Sequence, residues 1–171
     1  MIPFDKYPHV NHDDTLLKAM EVLENAVIMM DGQQSLPRVL LVMQDENSLI
    51  GVIGRRHILK GLEPKYLVKQ SLKARKKLFD TKVDPALTEL HSKRIVRGIL
   101  ERSEQPVSEM MEAIKATIDY DDHIFKAVYE MNENDVSLLP VFKDNHVIGV
   151  VRTVEIFQVI AKDLLEQKYI W

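Results

Sequence analysis

The sequence predicts an α/β fold in which two β-α-β-β-α repeats pack around a pseudo-twofold axis, with a basic helical insert between them. Three observations lead to this fold class. Two motifs occur twice in the same order, apolar residues follow the first motif at helical spacing, and two apolar runs enclose a polar turn in each copy. Residues 13–19 return as residues 121–127 with four of seven identities, and residues 49–53 return as residues 147–151.

The first copy is the longer of the two. Between its motifs it carries about ten more residues than the second copy, and we place this addition at residues 28–37. The predicted boundaries are residues 1–62 for the first repeat, residues 63–105 for the joining segment, and residues 106–171 for the second repeat with a C-terminal helix.

Each unit opens with a short extended piece, at residues 7–10 and again at residues 116–118. A pair of Asp residues follows, and we expect it to cap the next helix, since a carboxylate accepts hydrogen bonds from the free amides of a first helical turn. The apolar stripes that predict these helices are Leu16, Met20, Leu23, Val27 and Met30 in the first copy, and Ile124, Ala127, Val128 and Met131 in the second.

The second half of each unit is a predicted β-hairpin followed by a helix. Residues 38–43 and 49–53 enclose a polar turn in the first copy, and residues 139–142 and 147–151 do so in the second. These strands are nearly continuous apolar runs, which indicates burial on both faces. The closing helices begin near His57 and near Val154.

The composition is that of an ordinary globular protein: 171 residues, 46% of them hydrophobic and 29% charged, with a net charge of −3. The absence of Cys excludes thiolate catalysis, disulfides and Cys-ligated zinc. The longest apolar run, residues 26–30, is far shorter than the about 20 residues of a membrane-spanning helix, and the N-terminus lacks a signal-peptide pattern. We therefore expect a cytoplasmic protein without membrane contact.

No constellation of residues supports catalysis. His9, His12, Asp13 and Asp14 lie close together in sequence, but the second copy has no matching His pair, and we expect no metal site. The Gly-x-x-x-x-Gly-Lys phosphate loop and the Gly-x-Ser-x-Gly nucleophile turn do not occur. We expect no enzymatic activity, no catalytic residue and no required cofactor.

The joining segment is basic. Residues 60–102 contain twelve Lys or Arg and five Asp or Glu. Two helices are expected here, beginning near Pro64 and near Pro85. Four interpretations of this segment remain open. It is a solvated helical hairpin packed on the repeats, a docking surface for an acidic partner, a nucleic-acid contact, or a basic hairpin that lies against acidic faces of the repeats. Nucleic acid has little support, because the scattered aromatics Tyr66 and Phe79 offer few stacking platforms.

The repeated motifs resemble those of tandem CBS (cystathionine-β-synthase) domains, the Bateman module. The resemblance rests on residues 107–111, 117–122, 138–141 and 149–151 in the second copy, and on residues 13–16 and 50–52 in the first. It covers about two-thirds of the chain and leaves the segment between the copies outside.

The resemblance implies that an adenosine nucleotide, such as AMP, ADP, ATP or another adenosine derivative, binds in a cleft between the repeats. The family motif is Gly-h-h-Thr/Ser-x-x-Asp, where h is apolar, and its hydroxyl and carboxylate contact phosphate and ribose. The second copy departs from it, since Arg152 replaces the hydroxyl residue and Glu155 replaces the Asp. The implied binding residues of this site are Thr117, Ile118, Pro140, Arg152, Thr153 and Glu155.

Within this second site the resemblance assigns Arg152 and Thr153 to phosphate, Glu155 to ribose, and Ile118 with Pro140 to the base. Arg152 could instead fill the phosphate position with its own charge. The weaker first site comprises Val10, Gly54, Arg55 and His57. It lacks the motif hydroxyl, and an imidazole accepts ribose hydroxyls only when it is neutral and in the right tautomer.

These features predict a stand-alone regulatory module that binds a nucleotide between CBS repeats and signals to a partner protein. The resemblance also implies a homodimer. The alternative is a structural or partner-docking CBS module whose nucleotide sites are degenerate and do not bind.

Overall fold

The computed structural model describes residues 1–30, 32–46, 48–63 and 85–168. The first half contains β1 (Ile2–Pro3), β2 (His9–Asn11), α1 (Leu16–Asn25), β3 (Ile28–Met30), β4 (Gln33–Ser35), β5 (Val39–Met43), β6 (Leu49–Gly54) and α2 (Arg55–Leu62). The second half contains α3 (Pro85–Ser103), β7 (Glu112–Ala113), β8 (Ile118–Asp119), α4 (Ile124–Glu133), β9 (Leu138–Lys143), β10 (His146–Arg152) and α5 (Thr153–Lys168). The predicted α/β fold class is confirmed.

Each unit builds most of one four-stranded sheet and contributes one strand to the other. The first sheet has the order β2-β5-β6-β7, and the second has the order β1-β10-β9-β8. The N-terminal strand β1 pairs antiparallel with β10 of the second unit, and β7, which follows α3, pairs antiparallel with β6 of the first unit. The two sheets are therefore completed by strands exchanged between the halves of the chain.

Two repeated glycines make room for the exchanged strands. A Cβ atom at Gly51 would lie 2.7 Å from the carbonyl oxygen of Glu112 in β7. A Cβ atom at Gly149 would lie 2.4 Å from the carbonyl oxygen of Ile2 in β1. A Met side chain immediately before each exchanged strand contacts the same glycine. Because the nearest atoms belong to backbone, any larger residue must push the exchanged strand away.

Three apolar clusters cover the central strands. One lies between the first sheet and its helices, one between the second sheet and its helices, and one between the two sheets. Leu40 and Val42 of β5 face the helices, whereas Leu41 belongs to the cluster between the sheets. In β9, Leu139 belongs to the cluster between the second sheet and its helices, whereas Leu138 belongs to the cluster between the two sheets. The burial of these strands on both faces, predicted from their apolar runs, is confirmed.

The first helix is shorter than its apolar stripe predicts. α1 ends at Asn25, and Ala26 has extended backbone with φ −74° and ψ 129°. The following residues form β3, which pairs with β4 as a hairpin. Val27 and Ile28 are β-branched and favour extended backbone over helix. The predicted continuation of the helical stripe to Met30 is therefore wrong.

The repeated Asp pairs close turns and do not cap helices. The Asp14 carboxylate accepts a 2.8 Å hydrogen bond from the Asn11 amide, and the second unit repeats this bond between its equivalent residues. The N-cap of α1 is Thr15, whose hydroxyl accepts a hydrogen bond from the Lys18 amide. His123 caps α4. The predicted Asp caps are wrong because a residue beside each pair already meets the free amides of the helix.

The described part of the joining segment is α3, and a helix beginning near Pro85 was predicted there. The predicted helix near Pro64 lies outside the described residues. α3 is attached to the first unit by Arg102, whose Nε donates a 2.6 Å hydrogen bond to the carbonyl oxygen of Gly61 in α2.

We expect Gly149→Ala to lower the free energy of unfolding by about 1–3 kcal/mol, since the added methyl group overlaps the backbone of β1. Gly51→Ala should have a similar effect by displacing β7. Urea denaturation followed by circular dichroism measures both. The matched control is Gly98→Ala in α3, because a Cβ there meets nothing within 4 Å and Ala favours helix. A Gly149→Ala variant as stable as this control would contradict the close approach of β1.

Candidate functional site

A cleft opens between the two units where β10 ends and α5 begins. We term it the second cleft, because it lies at the motif of the second unit, and its volume is about 170 Å³. Its polar lining comes from both units and comprises Ser35, Arg38, Ser137, Arg152 and Thr153. Its apolar walls include Val39 and Leu138.

A buried ion pair between Arg152 and Glu155 lies at this cleft. The two residues are only 8% and 7% exposed. The Arg152 Nε donates to both carboxylate oxygens of Glu155 at 3.0 Å, and the Arg152 Nη2 donates to Oε1. The backbone amide of Arg152 donates to Oε2 at 3.0 Å. These hydrogen bonds raise the pKa of Arg152, so its guanidinium stays charged.

The carboxylate of Glu155 is heavily engaged by this pair. Three N–H groups of Arg152 donate to it, from the backbone amide, Nε and Nη2, and the single N–H of Nε is shared between the two oxygens. A ribose hydroxyl would therefore compete with Arg152 for the Glu155 carboxylate. Removing one partner of a buried ion pair costs on the order of 3–5 kcal/mol, because the other charge stays buried without a partner.

The remaining guanidinium nitrogen of Arg152 reaches the other unit. Its Nη1 donates a 3.1 Å hydrogen bond to the hydroxyl of Ser35. Ser35 is the last residue of β4 and falls within residues 28–37, where the sequence analysis placed the addition to the first repeat. The sequence did not indicate Ser35 as a site residue, because its contact is with a residue 117 positions away.

Tyr7 supports the cleft from the first unit and was also missed as a site residue. Its side chain is 1% exposed, and its hydroxyl donates a 3.0 Å hydrogen bond to the carbonyl oxygen of Val39. Burial raises the pKa of Tyr7 well above its usual range, so the phenol remains a neutral donor. Its position beside the second motif follows from β1, which fixes the N-terminal segment on β10.

Of the predicted second-site residues, Arg152 and Thr153 line the second cleft, and Glu155 lies behind Arg152, bonded to its guanidinium. The other three do not line this cleft. Ile118 and Pro140 lie in β8 and β9, where both are buried, and Thr117 is exposed just before β8.

The motif of the first unit repeats the same backbone geometry with different side chains. The Nδ1 atom of His57 accepts a 3.3 Å hydrogen bond from the Gly54 amide, as the Glu155 carboxylate does from the Arg152 amide. His57, the third residue of α2, thus bonds back to the N-cap residue Gly54, and its Nε2 lies 3.7 Å from the carboxylate of Glu112.

The surroundings of the first motif are polar and partly exposed. Arg55 donates a 3.1 Å hydrogen bond from Nη1 to the carbonyl oxygen of Pro37. Lys115 donates a hydrogen bond to Glu112, which lowers the pKa of that carboxyl. Val10, which the resemblance assigned to this site, is 3% exposed and belongs to the core of the first unit.

Two further features are absent from the described ranges. No group of three or more His, Cys, Asp or Glu side chains there is placed to hold a metal ion. No helix within those ranges combines the length and apolar character needed to cross a membrane.

Comparison with known proteins identifies relatives of this fold. The model of the CBS domain matches residues 2–64 and 107–162. The CBS-pair protein CBSX2 of Arabidopsis thaliana has a TM-score of 0.61 at 17% identity, over 95% of this chain and 91% of that chain. The structure of CBSX2 in complex with AMP has a TM-score of 0.60 at 17% identity, over 95% of this chain and 92% of that chain.

A further neighbour is the CBS domain of a CBS-domain-containing membrane protein from Sphaerobacter thermophilus. Its TM-score is 0.58 at 19% identity, over 92% of this chain and 87% of that chain. No curated protein sequence matches the chain. The neighbours establish the fold, and the family model spans more than half of the residues, in two segments that follow the two units. The chain therefore belongs to the CBS-domain family, as a tandem CBS pair.

Proposed function

We propose that the chain is a regulatory module that binds an adenosine nucleotide in the second cleft and signals to a partner protein. The observation that supports this most is the lining of the cleft, where two Arg residues and three Ser or Thr residues line one opening between the repeats. A structural neighbour, CBSX2, is known in complex with AMP. This tandem CBS fold can therefore accommodate a nucleotide.

The phosphate is assigned to Arg38, Arg152 and Thr153. Arg38 is exposed at the cleft, so its guanidinium can contact an anion without breaking any core packing. Thr153 opens α5; its amide donates to the carbonyl oxygen of Ser137, and its hydroxyl and the positive end of the helix dipole favour a negative charge. Charge-assisted hydrogen bonds from Arg to phosphate are among the strongest in proteins, which favours an anionic ligand over a neutral one.

The base is assigned to the apolar walls of the cleft, Val39 and Leu138. The family resemblance assigned it to Ile118 and Pro140, but these residues lie in buried strands away from the cleft lining. Glu155 is assigned to hold the Arg152 side chain in place, because its acceptor positions are used by that guanidinium.

A second candidate function is favoured by the ion pair itself. Arg152 already places a positive charge at the position expected for phosphate, and Glu155 compensates it. The cleft volume of about 170 Å³ is also below the roughly 300–1,000 Å³ of common small-molecule sites. On this alternative, the chain is a partner-docking CBS module with a degenerate site.

We further propose that two copies associate through their helices, as the family resemblance implies. α4 and α5 expose Phe125, Tyr129 and Phe157 at 62%, 61% and 73%. Leu59 of α2 is 65% exposed. Clustered exposed aromatic residues are typical of protein interfaces, where they supply most of the binding free energy.

We expect a bound adenosine nucleotide to raise the unfolding temperature of the wild-type protein. A ligand at 100 times its Kd adds about 2.7 kcal/mol, which corresponds to a shift of roughly 5–10 °C for a chain of this size. Arg38→Ala should remove most of the shift with little change in the unliganded protein, because Arg38 is exposed. Differential scanning fluorimetry with AMP, ADP and ATP measures both effects.

The matched control for the nucleotide experiment is Arg97→Ala in α3. Arg97 is 83% exposed and pairs with Glu101 on the helix surface, so this variant should keep the full shift. A wild-type protein that shows no shift with any of these nucleotides at millimolar concentration would favour the docking module. A full shift in Arg38→Ala would place the ligand outside the second cleft.

Phe157→Ser should weaken self-association at least about tenfold, because it removes a large exposed aromatic side chain from the proposed interface. Sedimentation equilibrium measures the dimer dissociation constant. Tyr120→Ser is the control, since Tyr120 is 52% exposed but lies before α4, beneath the Lys143 ammonium group. Sedimentation of the wild-type protein as a monomer at high micromolar concentration would refute the dimer.

A further inference from the structure

A thioether side chain lies against each of the two repeated glycines. The Sδ atom of Met111, directly before β7, is 2.9 Å from the position that a Cβ atom at Gly51 would take. The Sδ atom of Met1, directly before β1, is 3.1 Å from the same position at Gly149. Each exchanged strand therefore begins at a Met residue whose sulfur fills the space beside a glycine.

Met111 combines access to solvent with a confined position. It is partly exposed and packs at the margin of the apolar cluster between the first sheet and its helices. Met43 and Met131 are enclosed in the core at 3% and 5% exposure, whereas Met29 is 57% exposed. The chain contains eight Met and no Cys, so its sulfur chemistry is that of thioethers alone. A mild oxidant that reaches sulfur therefore acts on this protein through Met.

We propose that Met111 is an oxidation site, and that its sulfoxide form loosens β7 from β6, so that the tandem repeat responds to a peroxide. The Met111 sulfur attacks one oxygen of hydrogen peroxide, the O–O bond breaks, and an S–O bond forms. The proton of the transferred oxygen passes to the other oxygen, which leaves as water. The sulfur loses two electrons and the peroxide gains them. The inference goes beyond the proposed function and does not depend on nucleotide binding.

The added oxygen has little room beside Gly51. The carbonyl oxygen of Glu112 lies 2.7 Å from the Cβ position at Gly51, next to the Met111 sulfur. The oxygen of a sulfoxide carries partial negative charge and repels that carbonyl oxygen. Oxidation also converts a flexible apolar side chain into a polar one, which disrupts its packing on apolar neighbours. The oxidised side chain therefore leaves its position beside Gly51.

The strand that follows Met111 is easily displaced. β7 has two residues, and its pairing with β6 consists of Ala113 opposite Gly51 and Glu112 opposite Val52. A shift of the Met111 side chain acts on the backbone directly before this short ladder. The first sheet therefore loses its exchanged strand more readily than any of its longer strands.

Displacement of β7 also reaches the motif of the first unit. The Glu112 carboxylate lies 3.7 Å from Nε2 of His57 and accepts a hydrogen bond from Lys115. His57 bonds back to Gly54 at the start of α2. Movement of β7 carries Glu112 away from His57, so oxidation of one sulfur atom changes the surroundings of the first motif.

The test is hydrogen–deuterium exchange of the full chain before and after treatment with hydrogen peroxide. Mass spectrometry of peptides that cover β6 and β7 gives both the exchange rate and the oxygen added at Met111. Oxidation of the wild type should speed the exchange of these amides about tenfold or more. Gly51→Ala should give the same pattern without oxidant, because it displaces the same strand. Peptides of β10 report separately on Met1, which lies against the other sheet.

Met111→Leu is the decisive variant, since Leu has a similar volume and no sulfur. Peroxide should leave its β6 and β7 exchange unchanged. Met110→Leu is the matched control, because Met110 is also partly buried but lies against Gly61 of α2, and this variant should still respond. Methionine sulfoxide reductases MsrA and MsrB, with dithiothreitol, should return the oxidised wild type to its starting exchange rate. The chain has no disulfide that the thiol could reduce.

Three results would overturn the inference. The first is oxygen added at Met111 with unchanged exchange of β6 and β7. The second is faster exchange that persists in Met111→Leu after peroxide treatment. The third is an unmodified Met111 under conditions that oxidise the exposed Met29 completely. No nucleotide is present in these experiments, so their outcome is independent of the thermal-shift test of the second cleft.

Discussion

The backbone pairing of β1 with β10 and of β7 with β6 is the constraint on which the rest of the structure depends. Each sheet needs a strand from the other half of the chain, so neither unit can complete its hydrogen bonding alone. The pairing fixes how the two sheets face each other and where the apolar cluster between them forms. It also carries Tyr7, a residue of the first unit, to the motif of the second.

The second cleft has walls of paired strands and one buried guanidinium group, that of Arg152, whose hydrogen bonds are of unequal strength. Its walls belong to paired strands, but Arg152 divides its hydrogen bonds between a buried carboxylate and a surface hydroxyl. A ligand that competes for the Arg152 guanidinium competes with a strong bond to Glu155 and a weaker bond to Ser35. The contact to Ser35 is therefore the first that a competing acceptor would displace, before the buried ion pair.

Much of the fold could be predicted from the sequence, because the same order of apolar runs and polar turns occurs in both repeats. The hairpins of β5 with β6 and of β9 with β10 follow from local apolar runs and polar turns. The early end of α1 could not be predicted, since the apolar stripe continues at helical spacing into β3. The Asp caps were wrong because turn closure and helix capping both use a carboxylate beside a helix start, and only the geometry of Asp14 distinguishes them.

The candidate site was predictable only where a linear motif marks it. Arg152 and Glu155 stand at motif positions, so their proximity follows from one turn of helix. Ser35 and Tyr7 belong to the same site through contacts between distant parts of the chain, which no local pattern encodes.

The exchange of β1 also has a consequence for the order in which the chain acquires structure during synthesis. Ile2 and Pro3 are synthesised well before their partners, Val150 and Gly149, which follow them by more than 140 residues. β1 must wait unpaired while the intervening chain is translated, and the loop that it finally closes spans more than 140 residues. Contacts of such long sequence separation form slowly, because the entropy of loop closure is lost before the pairing is gained. Until β1 docks, the edge of β10 is open to any other unpaired strand, so the interval between translation of β10 and docking of β1 is when a nascent chain is most exposed to misassembly at this sheet.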